Sequence, residues 1–557
     1  MTESPGLFRL AAVVCVVYSL AFAAVAYEHV RYPGFTEAME GDVLQHVARA
    51  ASGRPIYTAA TSEYIPLAYF PGYYYLAAPA YWLFGEDLRG PRLVSCLCSF
   101  LAALAFAGIV YQESRSTAAS LVTVALFFAG YRIKDENLTT ALPDAALLMW
   151  LSFAWAMLVG PRTANRDFAA SLFLFAAFWT KQQGALLAAW TFVYMWFVKP
   201  VGGRWFGDRR VFVLTAILYS VGLALFFGSS IFGDRAFHFT VEVPGGWDRS
   251  YVSSIQRFVL VSFLFVPFAL LASAVFAFRD GVGFGALRES LPYLIATTAA
   301  TCLYTVAATG SSNNHYIPLF SLLEVAAALG TIRILAAGPP RWLPRATVVA
   351  AALGFVVAVA AAWRNEDGHP LPLYVAGLLG GVGVFGWHIR KRLSRRGLWA
   401  AMLLGGQFGA SFYLPWDYFP PPKWHDALAE FRREPEYSNT FAWPDYGAIP
   451  TTFGDRAYLC FPSWVALEDV TRSRRADPHD VAPFHERMKD PPMWLMTCDK
   501  LESIPVWREH ATQYQFFKHY GSEFAALPQL CRHWYGNRSF PRYLYHRSDN
   551  PQKRFDR

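Results

Sequence analysis

PLAYFPGYYYLAAPAYWLFG, residues 66–85, is long and apolar enough to cross a bilayer, yet it carries Pro66, Pro71 and Pro79 among five tyrosines. A proline inside a helix removes a hydrogen bond and kinks the chain. Tyrosine and tryptophan prefer the membrane–water interface. Residues 66–84 are therefore expected to lie on or dip into the surface without spanning. Everything downstream depends on this reading, because one extra span would turn over every later loop.

The surrounding sequence supports a membrane setting. The chain has 557 residues, 54% hydrophobic and 17% aromatic, and only 16% are charged. That charge content is too small to cover the surface of a water-soluble protein of this size. The apolar residues gather in runs near the roughly 20 residues needed for a transmembrane helix. Thirteen spans are expected, at about 10–27, 91–111, 117–131, 144–160, 168–180, 182–198, 211–232, 256–278, 290–309, 316–335, 344–362, 371–388 and 398–414. The net charge of +8 reads as basic cytoplasmic loops, with no nucleic-acid partner implied.

Charge asymmetry tests the topology. With the N-terminus inside and 66–84 not spanning, the inside loops hold Arg115, Arg162, Arg166, Lys199, Arg204, Arg209, Arg210, Arg279 and Arg288. They continue with Arg333, Arg341, Arg345 and the cluster HIRKRLSRRG at 388–397. If 66–84 spanned, that cluster would lie outside, against the positive-inside tendency. The same logic makes TKQQG, residues 180–184, the tip of a hairpin. Residues 28–90, 132–143, 233–255, 310–315 and 363–370 then share the outer face with everything after Pro415.

The cysteines show no metal-ligand spacing. Cys15, Cys96, Cys98 and Cys302 fall in apolar runs and read as core residues, whereas Cys460, Cys498 and Cys531 fall in the polar C-terminal part, where two of them could pair. That part, 416–557, is expected to be a small extracytoplasmic α/β domain. WHDALAEFRRE (424–434) reads as a helix, and RAYLCF (456–461) and MWLMTC (493–498) read as strands.

The polar residues of the outer face are the candidates for chemistry. In EGDVLQHVARAASGRPIY, residues 40–57, Val43, Val47, Ala50 and Ala51 recur at helical spacing until Gly53 and Pro55 stop the helix. Asp42, three residues ahead of Gln45, fits a loose capping box. Glu40 has no such local task and is the expected general base, since a carboxylate can take a proton from an attacking hydroxyl. The acidic pair could also hold a divalent metal through its oxygens. Asp144 opens a helix after KDENLTTALP and can serve either the helix dipole or a substrate. Lys181, with Gln182 and Gln183, is a cation near membrane depth and so a functional candidate, although snorkelling is the plainer alternative. In GSSNNHYIPL (310–319), Asn313, Asn314 and His315 stand at the mouth of a span, and Glu324 lies about two turns deeper, where it needs a partner.

The order of EGDVLQHVARAASGRPIY, YIPLAYFPGYYYLAAPAYWLFG, GPRLVS, LPDAALL, TKQQGALL and SNNHYIPL resembles the GT-C superfamily of integral-membrane glycosyltransferases. The likeness is to the bacterial branch related to protein O-mannosyltransferases and the lipid A aminoarabinose transferase, over residues 1–415. It implies an all-α polytopic fold with juxtamembrane helices in the first outer loop, in the inner membrane. It also implies transfer of a sugar, with inversion, from a polyprenyl-phosphate donor to a lipid, glycan or protein hydroxyl outside the cytoplasm. Glu40, Asp42 and Asp144 match the family's acidic positions. No basic residue stands in YIPLAY where some relatives carry one, so the donor phosphate falls to Lys181, Gln182, Asn314, His315, Arg132 or Arg257. His46, Tyr57 and Glu324 are expected behind them. A transporter or flippase of a lipid-linked glycan is the competing class, but alternating access favours midplane sites and repeat symmetry.

Overall fold

The computed structural model of the protein describes residues 5–32, 36, 39–61, 64–85, 87–134, 137–203, 205–246, 249–277, 289–308, 313–343, 395–411 and 415, and four strands in the C-terminal part. Fifteen helices are described: α1 (Pro5–Arg31), α2 (Glu40–Ala51), α3 (Gly72–Phe84), α4 (Arg89–Ser114), α5 (Thr117–Ala129), α6 (Asp144–Leu158), α7 (Ala164–Thr180) and α8 (Gln182–Val193) lead the bundle. They are followed by α9 (Arg209–Gly228), α10 (Val243–Gly246), α11 (Tyr251–Phe265), α12 (Pro267–Ala277), α13 (Ser290–Val306), α14 (Ile317–Ala337) and α15 (Arg395–Ala410). The expected spans at 344–362 and 371–388 lie outside the described residues, as do the three C-terminal cysteines. Cys96, Cys98 and Cys302 are buried free thiols, and Cys15 is half-buried.

The bundle is apolar outside as well as inside. Leu10, Val13, Val17 and Leu20 of α1 and Val213, Ile217 and Val221 of α9 are exposed, while Phe22, Val25 and Phe226 are buried. Helices apolar on their outer faces belong in lipid. α1, α4, α9 and α14 with the residues leading into it are each long and apolar enough to cross a membrane.

α3 does not span. Its first residue, Gly72, packs against the backbone of Trp179 and Thr180 at the end of α7, and near its last turn the Trp82 indole donates to Ala51 O at 3.1 Å. Both ends of α3 thus sit at one end of the bundle, with Trp82 and Leu83 exposed. The hairpin at Lys181 forms too: Lys181 is extended between α7 and α8 (φ −157°, ψ 149°). Gly184 then presses so closely on Ala177 that a Cβ would run into its carbonyl.

The two ends of the bundle differ in character. At the basic end, Ser116, Thr163 and Asp208 cap α5, α7 and α9 through their side chains, and Arg166 ties the end of α6 by bonding Met157 O, Ala156 O and Val159 O. At the other end α2, α3, α6, α8 and α14 begin with no side-chain cap, Ser250 at the start of α11 being the exception there.

The expected span at 256–278 is instead two helices. Pro267 cannot donate to the preceding turn, and the chain breaks at Val266 (φ −130°, ψ 29°). The break leaves early amides of α12 without helical acceptors. Gln407 of α15 answers: its Oε1 accepts from Ala269 N at 3.0 Å, and its Nε2 donates to Ser411 Oγ at 2.8 Å.

In the C-terminal part, strands Phe441–Ala442, Trp494–Thr497, Tyr514–His519 and Tyr543–Arg547 (β1 to β4) form a sheet ordered β1-β2-β4-β3, with β1 parallel to β2 and the other pairs antiparallel. The strand expected within 493–498 is β2; the helix expected at 424–434 and the strand at 456–461 lie outside the described residues.

Replacing Gln407 by Leu strands the Ala269 amide in an apolar setting. The expected cost is about 1–3 kcal/mol, read as a lower thermal unfolding midpoint in detergent; an unchanged midpoint would remove Gln407 from this role.

Candidate functional site

Two buried ionic centres organise the uncapped end of the bundle. The first is built on Glu40, the first residue of α2. Its carboxylate meets Arg92 of α4 through both oxygens, with Nε to Oε1 at 2.8 Å and Nη2 to Oε2 at 2.5 Å. It also accepts from Ala141 N at 2.8 Å, Thr36 N at 2.8 Å and Thr36 Oγ1 at 3.1 Å. Arg92 in turn donates to His29 O at 2.8 Å and Tyr32 O at 2.6 Å, carbonyls at the end of α1. Both side chains are fully buried. Burial alone would push the Glu40 carboxyl up, but the Arg92 charge and the surrounding donors hold it below the usual carboxylate range.

The surroundings of the acidic pair differ from those expected. Glu40 is committed to five donors, two of them from Arg92, a residue the sequence reading passed over inside GPRLVS. Such a carboxylate is a poor base. Asp42 is not the helix cap: Met39 occupies that position without a capping bond from its side chain, and Asp42 lies in the first turn. Asp42 is fully buried and close enough to Tyr74 for its charge to bear on the phenol, which burial already holds well above its ordinary range. The Tyr74 hydroxyl has no hydrogen-bond partner among the described residues.

His46 stands behind them as a structural clip. Its Nε2 accepts from Leu67 N at 2.8 Å, so its Nδ1 carries the proton and donates to Asp42 O at 2.6 Å. Both ring nitrogens are thereby fixed to backbone, joining α2 to the extended segment before α3. Desolvation lowers its pKa to about 3. Tyr57 is likewise buried, donating to Tyr69 O at 2.5 Å. Its backbone is clasped by Gly233 (φ +110°), where a side chain would collide with Tyr57.

The second centre joins residues that the sequence presents far apart. Lys181 Nζ donates to Asp144 Oδ1 at 2.8 Å, with both side chains nearly completely buried. Asn314 Nδ2 approaches Asp144 Oδ2 at 3.5 Å. Gln183 Nε2 donates to His315 O at 2.7 Å. Lys181 Nζ also lies 5.3 Å from the Tyr69 ring centroid, a cation–π contact, and Asp144 Oδ1 is its one hydrogen-bond acceptor among the described residues. Arg257 is exposed on α11, near enough to His315 for its charge to be felt there. Tyr69 links this centre to the first one, because Asp42 and Tyr69 both bear on Tyr74.

One expected donor-site residue is occupied differently. The Gln182 amide bonds Ala68 O and Thr240 O, pinning the segment before α3, so its donors are spent. Arg132 lies in a short turn at 132–134, and its side chain falls outside the described residues. Glu324 finds its partner in Lys134, at 2.8 and 2.9 Å, and Lys134 also donates to Phe127 O at 2.9 Å. Lys134 carries no signal in the sequence beyond its place in an outer loop.

The chain matches no protein-family model and no curated sequence. It does resemble solved structures. The apo crystal structure of ArnT from Cupriavidus metallidurans superposes with a TM-score of 0.59 at 15% identity, covering 95% of this chain and 97% of that one. The structure of the same protein bound to undecaprenyl phosphate gives 0.58 at 15% identity, covering 97% and 99%. The shared feature is the fold, over nearly the full length of both chains.

Glu40→Ala leaves Arg92 buried without its counter-ion. A loss of about 3–5 kcal/mol is expected, larger than that for Asp42→Asn, with thermal unfolding of the purified variants as the measurement. His46 adds a pH dependence. Between about pH 3 and 6.5 the unfolded chain binds a proton that the folded imidazole refuses. Its contribution is therefore full above 6.5 and is lost as pH falls. His46→Gln should flatten the acid side of the Tm–pH curve across that window.

Proposed function

We propose that this protein is a membrane glycosyltransferase that moves a sugar from a polyprenyl-phosphate carrier to an acceptor hydroxyl on the extracytoplasmic side of the inner membrane. The observation that carries the reading is the buried Asp144–Lys181 pair, bordered by polar side chains, at the end of a GT-C-fold bundle where α2 and α3 lie across the helices. The related ArnT structure bound to undecaprenyl phosphate supports a lipid-phosphate ligand. The basic residues collected at the opposite end support a cytoplasmic placement for that end. The gathering of polar groups at one end, not midway along the helices, favours an enzyme over a transporter.

In the proposed step the donor phosphate meets Lys181 Nζ, which has N–H directions left after bonding Asp144, and Arg257 at the rim. The uncapped starts of α8 and α14 add partial positive charge. Asp42 takes the proton of the acceptor hydroxyl as its oxygen attacks the anomeric carbon from the side opposite the phosphate. The new C–O bond forms while the bond to the phosphate oxygen breaks, and its electron pair leaves with the phosphate. The configuration inverts. Tyr74 O–H, beside Asp42, is placed to bond the acceptor. Glu40 and Arg92 act through position: Glu40 holds Ala141, three residues ahead of Asp144, and starts the helix that bears Asp42.

The test is a panel of radiolabelled polyprenyl-phosphate sugars offered to purified protein with membrane extract as acceptor. Transfer is expected with at least one donor. Asp42→Asn should lower turnover by about 10²-fold or more while the protein stays folded; full activity in that variant would remove Asp42 as base.

A further inference from the structure

Two amides beside the Asp144–Lys181 pair have their orientation imposed by their neighbours. Gln183 faces the His315 carbonyl at 2.7 Å. A carbonyl only accepts, so the amide nitrogen must stand there and Oε1 must point away. Asn314 faces the Asp144 carboxylate at 3.5 Å, itself bonded to the Lys181 ammonium, so its nitrogen is fixed by the same reasoning. The two remaining oxygens, Gln183 Oε1 and Asn314 Oδ1, are buried without a hydrogen-bond partner among the described residues. Gln183 is 2% exposed and Asn314 8%. His315 Nδ1, next to Asn314 in the chain, is in the same condition. Buried polar atoms are ordinarily satisfied, and a cluster of exceptions marks a place where something else supplies the bond.

The chemistry of these atoms selects what can supply it. Amide oxygens accept hydrogen bonds, and an ionised phosphodiester has none to give. Sugar hydroxyls do. Gln183 and Asn314 therefore suit the group attached to the phosphate and not the phosphate itself, which corrects the expectation for Asn314. A sugar carrying an ammonium would also offer N–H donors, but the local charge opposes it. The Asp144 carboxylate, which could pair with that ammonium, is already taken by Lys181.

We propose that Gln183 Oε1 and Asn314 Oδ1 form a sugar-hydroxyl subsite and that the donor sugar it takes is uncharged. This rests on the glycosyltransferase reading above and narrows its substrate class. An uncharged pentose or hexose, presenting neighbouring hydroxyls to the two carbonyls, fills the subsite.

The experiment measures binding of three lipids to purified protein in nanodiscs: undecaprenyl phosphate, the same lipid bearing a neutral pentose, and its counterpart with one hydroxyl replaced by an amine. The neutral-pentose lipid should bind tighter than the bare lipid and about tenfold tighter than the amino-sugar lipid. Gln183→Met should weaken the neutral-pentose lipid by about tenfold and leave the bare lipid unchanged. If that variant fails to fold, Gln183→Glu, nearly the same shape, should move preference towards the amino sugar. Equal weakening of bare and sugar-bearing lipids, or an amino-sugar lipid that binds as tightly as the neutral one, overturns the subsite and leaves the donor reading standing. Absence of any binding by undecaprenyl phosphate in the wild type would instead remove the lipid-donor reading, and the subsite with it.

Discussion

The uncapped end of the bundle depends on one buried guanidinium. Arg92 faces four acceptors on two separate pieces of chain: both oxygens of Glu40 at the start of α2, and the carbonyls of His29 and Tyr32 at the end of α1. Through Glu40 it also reaches Ala141. A helix end in an apolar setting has carbonyls that water cannot reach. One side chain meets that need and sets the angle at which the first outer loop leaves the membrane. The position of Asp42 and the entry into α6 both follow from it.

The site then reads as two layers of charge with different tasks. Glu40–Arg92 is closed and holds backbone. Asp144–Lys181 leaves N–H directions of the ammonium unused among the described residues, and the buried oxygens of Gln183 and Asn314 beside it in the chain or in space lack partners among the described residues. Closed pairs contribute shape; open ones leave chemistry available. The difference lies in how many lone pairs and protons are already spoken for, which a residue type alone does not announce.

The fold was legible in the sequence because its signals are additive. Prolines and tyrosines in 66–84 and the distribution of arginine decided the topology, and the structure follows it at α3 and at the Lys181 hairpin. The break at Pro267 was missed because an apolar run of span length conceals a single proline. At the site, Asp144, Lys181, Asn314 and His315 were visible as polar residues in outer loops. Glu40 and Asp42 were visible too, but not that Glu40 is ion-paired to Arg92 or that Met39, and not Asp42, precedes the helix. The partner that decides between them, Arg92, lies 52 residues along the chain at the mouth of a span, where a lone arginine looks like interfacial basicity. Lys134 escaped for the same reason, since only the three-dimensional pairing with Glu324 sets it apart from a solvated loop lysine.

The spacing of the buried pairs also orders how the chain can enter the membrane. Asp144 meets Lys181 after 37 residues, within one helical hairpin, whereas Lys134 must wait 190 residues for Glu324. At about 5–20 residues per second that delay lasts roughly 10–40 s. For that interval an uncompensated ammonium in hydrocarbon would be costly, so the turn carrying Lys134 stays in contact with water until α14 arrives. This end of the bundle is thus the last part to close around its charges, and α14, with Asn314 and His315 in the turn that leads into it, completes the burial.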